Sequence, residues 1–177
     1  MHAILQKLDG GDRRSIGRSE EVVADVLADP TLFDVVFHGI LVDDNPLIRM
    51  RAADAVEKIT VQHPEYLQSY KSLLLGDVAA IEQQEVRWHV AQMLPRLDLT
   101  DAERAQAVNI LIGYLDDKSS IVKTFAMQAL ADLVGTDTAL LPQVLAMIEV
   151  QIAGGSPAVQ SRERKLLAHL QTKNKVA

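Results

Sequence analysis

Four twelve-residue windows of the sequence line up without gaps: IRMRAADAVEKI from Ile48, VRWHVAQMLPRL from Val86, VKTFAMQALADL from Val122 and VQSRERKLLAHL from Val159. Their starts are 38, 36 and 37 residues apart, and a weaker copy, IGRSEEVVADVL, begins 32 residues before the first, at Ile16. A period in this range marks a repeated supersecondary unit and restricts the fold more than composition does. In the first three windows apolar residues hold the first, fifth, eighth, ninth and twelfth positions, as in Ile48, Ala52, Ala55, Val56 and Ile59. That spacing draws one stripe along a helix, so Leu130, in the ninth column of the third window, is expected inside.

Helix starts recur in the same columns. Asn45 followed by Pro46, Ser119 followed by Ser120, and Ser156 followed by Pro157 each stand just before a window. Asn and Ser side chains accept from orphan backbone N–H groups, and proline fits the first helical position. The second window has Gln83 and Gln84 there, a weaker start, and Pro95 inside it is expected to end or kink that helix. Between the windows, residues 30–42, 64–80, 100–115 and 138–152 read as further helices, apolar over much of their surface. Neither helix of a pair covers its own stripe, so successive pairs are expected to stack.

At these residues the chain resembles the HEAT-repeat family, with armadillo-type stacking a close relative. LVDDNPLIRMRAADAVEKI (41–59), LDDKSSIVKTFAMQALADL (115–133) and ALLPQVLAMIEV (139–150) are similar to the family pattern of a helix, an Asp-containing turn, a Val-Arg pair and a second helix bearing small residues then Leu. The resemblance spans about residues 16 to 170. It implies an all-α fold, an α-solenoid of about four to five helix pairs forming a single domain, with repeats near 1–28 (partial), 30–60, 64–97, 100–134 and 138–171. Residues 172–177 are expected to fray. Glu163 and Arg164, which replace the small pair Ala52 and Ala53, are expected to make the last window's outer side polar, as suits a terminal cap. For function the resemblance implies a scaffold or adaptor, since this architecture carries many unrelated partners.

Composition narrows the chemistry. The 177 residues are 48% hydrophobic, enough for a continuous core, and contain no cysteine, which removes disulfides, thiolate catalysis and Cys-based metal sites. No apolar run approaches a membrane span and the start shows no basic leader, so a cytoplasmic protein is expected. No nucleophile motif, phosphate loop or paired metal-ligand spacing is present, and no catalytic residue, metal or cofactor is assigned; the Gly10, Gly11 pair reads as a turn.

Charge is segregated. The four windows hold nine basic and four acidic residues although the whole chain carries −6. If the window helices line the concave face, they form a mildly basic groove suited to a protein or acidic peptide. The expected partner-binding residues are Arg51, Trp88, His89, Gln92 and Arg162, with Trp88 as a broad apolar anchor and the basic groups orienting the partner. Packing of Trp88 against a neighbouring helix is the competing reading. Arg49, Arg87 and Lys123 are expected to tie acidic turns, with Asp44 and Asp117, to the neighbouring repeat. A second possibility is a nucleic-acid binder similar to HEAT-like DNA alkylation-repair glycosylases, with Arg and Lys on phosphates and Trp88 against a nucleotide. Against it stand the acidic total and the lack of any carboxylate that the sequence places beside that ring. A lyase-like or chaperone accessory role ranks below both.

Overall fold

In the computed structural model, residues 2–12, 14–42, 44–134, 140–154 and 157–174 are described. Among them there are helices and turns and no strand, so the fold is all-α as expected. The chain divides into two compact units, Met1–Leu99 and Thr100–Ala177, and the division falls between the expected repeats 64–97 and 100–134.

The first unit contains α1 (Ala3–Gln6), α2 (Ser19–Ala28), α3 (Phe33–Val42), α4 (Pro46–Gln62), α5 (Lys71–Leu75) and α6 (Gln84–Met93). Helix α4 is its hub and packs on α2, α3 and α6. Its start is built as expected: the Asn45 side chain accepts from the Leu47 N–H, with Pro46 in the first turn. The second window behaves differently, because the Gln83 side chain makes no cap for α6. Helix α6 stops at Met93, and Pro95 lies in a 3-10 turn over Leu94–Arg96. The expected helix over 64–80 is not continuous. Residues Pro64–Tyr70 form a 3-10 segment, α5 adds a single short stretch, and Gly76, a poor helix former, stands at its end.

The second unit contains α7 (Asp101–Tyr114), α8 (Ser120–Val134), α9 (Leu141–Gly154) and α10 (Pro157–Asn174). Thr100 and Glu103 close a capping box at the start of α7, each satisfying a backbone N–H of the other. Helix α8 packs on α7, α9 and α10. Ser156 and residues 175–177 lie outside the described residues, as do the side chains of Pro157 and of 172–174.

The stripe predicted by column is the core. Ile48, Ala52, Ala55, Val56 and Ile59 are all at 0% exposure, and their counterparts in the second and third windows, Leu130 among them, are buried. The fourth window departs from the expected polar cap. Glu163 is 2% exposed, whereas Arg164 is exposed. Its fifth column therefore faces inward like Ala52, Val90 and Ala126, and helical position overrides side-chain polarity.

Candidate functional site

The first unit bears a cleft of about 370 Å³. One wall is the loop segment Arg14, Ser15 and Ile16; the other walls are Met50, Arg51 and Asp54 of α4, and Glu85, Trp88 and His89 of α6. In the repeat alignment Met50 and Trp88 occupy the third column, and Arg51 and His89 the fourth. The repeat thus delivers two equivalent pairs to one place. Of the five expected binding residues, Arg51, Trp88 and His89 meet here. Gln92 does not: its Nε2 donates to the Trp88 carbonyl at 3.1 Å, one turn back along α6. The Arg162 side chain lies outside the described residues.

Arg51 is not the free orienting charge that the sequence implies. It is 1% exposed. Its Nε donates to the Ser15 carbonyl at 3.1 Å, Nη1 to those of Leu8 and Gly10 at 2.8 and 2.7 Å, and Nη2 to that of Asp12 at 3.0 Å. A planar fork of donors fits four converging carbonyls, those of Leu8, Gly10, Asp12 and Ser15. Three glycines let the backbone turn there, Gly10, Gly11 and Gly17, all at positive φ.

The remaining window cations of this unit are also engaged. Arg49 Nε donates to Gln83 Oε1 at 3.0 Å, and Gln83 Nε2 donates to the Pro46 carbonyl at 2.7 Å. Gln83 thus links the starts of two neighbouring window helices, whereas Asp44, expected in this role, is exposed. An amide supplies acceptor and donor at once, so Gln83 serves both Arg49 and a backbone carbonyl. Arg87 Nε donates to the Ile81 carbonyl at 3.2 Å. Asp117 accepts from the Ser119 N–H at 2.7 Å, a local turn bond, and Lys123 is half-buried on α8. Arg96 donates to the Glu57 carbonyl and carboxylate and to Thr60 Oγ1. Lys58 bridges Glu20 at 2.5 Å and Asp54 at 2.9 Å.

What the sequence did not locate is the carboxylate beside the aromatic pair. Asp54 accepts from Ser19 of α2 and Lys58 with Oδ2, and its Oδ1 lies 3.9 Å from His89 Nε2. Ser19 is the fourth residue of the weak first copy and His89 the fourth of the second window, so Asp54, in the seventh column between them, meets both neighbours. That column relation was available in the alignment.

His89 is 8% exposed, and its buried Nδ1 has no hydrogen-bond partner among the described residues. Burial holds its pKa below the ordinary histidine value; Asp54 and then Glu57 oppose that shift, and Lys58 and Arg96 reinforce it. The Trp88 ring meets the imidazole edge-on, centroids 5.7 Å apart. Because the folded pKa is lowered, the unfolded chain binds the proton more readily. Stability is retained above the unfolded pKa of about 6.5 and falls as pH drops below it, by at most about 1.4 kcal/mol per pH unit for one proton. Urea titrations at pH 7.5 and 5.5 should show this loss, and His89→Gln should shrink it; an equal loss in both proteins would assign the effect to other groups.

A second cavity, about 350 Å³, lies between α7 and α9 and is lined mainly by apolar side chains, including Ile112, Leu115 and Met147. Among the described residues no group of three or more His, Asp or Glu side chains is arranged to hold a metal, and no helix is long and apolar enough to cross a membrane. Comparison of the chain with protein-family models, curated proteins and solved structures gave no significant match.

Proposed function

We propose that the protein is a HEAT-like repeat module of helix pairs that binds a segment of a partner protein without catalysing a reaction, and that the cleft of the first unit is its receptor. The observation carrying this reading is the convergence of Trp88, Met50 and His89 from equivalent columns of adjacent window helices on one open cleft. A half-buried tryptophan beside a flexible methionine offers apolar contact at low entropic cost, while the carboxylates and the loop supply polar edges. The buried column pattern supports the repeat reading within each unit.

The nucleic-acid alternative gains one feature, since Asp54 and Glu85 do stand around Trp88. It loses more. The cations that would meet phosphates, Arg49, Arg51, Lys58, Arg87 and Arg96, are engaged within the protein. A negatively charged backbone would enter beside the Glu85 carboxylate.

The test is selection of a random dodecapeptide library on the immobilised full chain. The wild type should enrich a recurring motif and Trp88→Ala should lose it, while both melt cooperatively by circular dichroism. Enrichment that is identical on the two proteins would remove the cleft from the reading. Tight, salt-sensitive binding of duplex DNA by the wild type, lost in Trp88→Ala, would favour the alternative.

A further inference from the structure

We infer that the cleft recognises an arginine side chain of the partner polypeptide, seated on the face of Trp88 with Glu85 as its counter-ion; this rests on the binding-module reading above. The sign of the site comes first. Met1–Leu99 contains sixteen acidic and ten basic residues and so carries the entire −6 of the chain, while Thr100–Ala177 has eight of each. A low-dielectric cleft in an acidic unit concentrates cations.

The cleft's own positive groups do not cancel that field where a ligand would sit. Arg51 has four of its five N–H donors on backbone carbonyls and cannot turn to a ligand without releasing the loop. Arg14 is exposed on the loop and can swing into solvent. Glu85, by contrast, is a half-buried carboxylate whose side-chain partner is the neutral amide of Gln84, at 3.2 Å. It forms no ion pair among the described residues. Asp54 is paired with Lys58 and also accepts from Ser19, so Glu85 is the charge left for a partner.

One further side chain selects the shape of the cation. Trp88 lines the cleft, and on an indole ring a flat guanidinium stacks better than a compact ammonium. An anionic group would gain neither the ring nor the Glu85 charge.

The experiment extends the library selection. The enriched motif should contain arginine, and a synthetic peptide of that motif should quench the fluorescence of Trp88, the only tryptophan in the chain. Replacing that arginine by citrulline, which keeps the shape and removes the charge, should weaken binding at least tenfold; Glu85→Gln should do the same with the melt unchanged. An acidic motif, or equal binding of the citrulline peptide, would overturn the arginine assignment while leaving the binding module standing. Failure of the wild type to enrich any motif over Trp88→Ala would overturn both. If Glu85→Gln does not fold, the citrulline comparison on the wild type decides alone.

Discussion

Arg51→Ala should destabilise the first unit by roughly 3–5 kcal/mol and release the loop from Asp9 to Gly17, because a buried side chain and several charge-assisted hydrogen bonds go together. The individual bonds are not additive, since Gly10, Asp12 and Ser15 are exposed and water can reach their carbonyls once the loop opens. Arg51→Lys should rescue little. A single ammonium on a flexible stem cannot present four donors in one plane to Leu8, Gly10, Asp12 and Ser15. Urea denaturation measures the energy, and hydrogen exchange of amides 9–17 reports the loop. Protection of those amides equal to wild type would show that the loop holds itself. Since Arg14, Ser15 and Ile16 form one wall of the cleft, the same variant should also lose motif binding.

Columns read well in this sequence where a stripe and its neighbours obey one rule, and poorly where a long polar side chain crosses it. The apolar columns, the Asn45 and Pro46 start, and the stop near Pro95 all follow from local chemistry that residue types display. Arg51 and His89 sit one position from the fifth-column stripe, and an arginine or histidine there reads as a solvated edge. The direction of Arg51 is set by acceptors that carry no side-chain signature, the backbone carbonyls of a loop some 40 residues earlier, while His89 turns its Nε2 toward Asp54 of α4. Only the glycines of that loop hinted that its backbone was bent for a purpose. Glu163 shows the same failure in the opposite sense: polarity argued for the outside, and the column placed it inside. The site itself was half legible. Trp88 and His89 were found because they are unusual residues, whereas Asp54 and Glu85 look like ordinary helix-surface acids until the fold sets them around the ring.

The glycines of the loop divide into two kinds, and the division gives the second large effect. Gly10 and Gly17 both have positive φ, 75° and 56°, so alanine at either pays the left-handed backbone strain of roughly 1–2 kcal/mol. A Cβ at Gly10 meets nothing within 4 Å, and Gly10→Ala should cost only that strain. A Cβ at Gly17 would lie 2.6 Å from Arg51 Cζ and 2.8 Å from both Nε and Nη1. Those atoms are the rigid, fully tethered part of the side chain, not a free end that can move aside. Gly17→Ala must therefore either displace the guanidinium from its carbonyls or push the loop outward, and its loss should approach that of Arg51→Ala, about 3 kcal/mol. Combining the two substitutions tests the cause. In the Arg51→Ala background the obstructing atoms are gone, so Gly17→Ala should add no more than its backbone strain, close to the effect of Gly10→Ala. Full additivity of the two losses in urea denaturation would mean that Gly17 is required for some reason other than the close approach of Arg51.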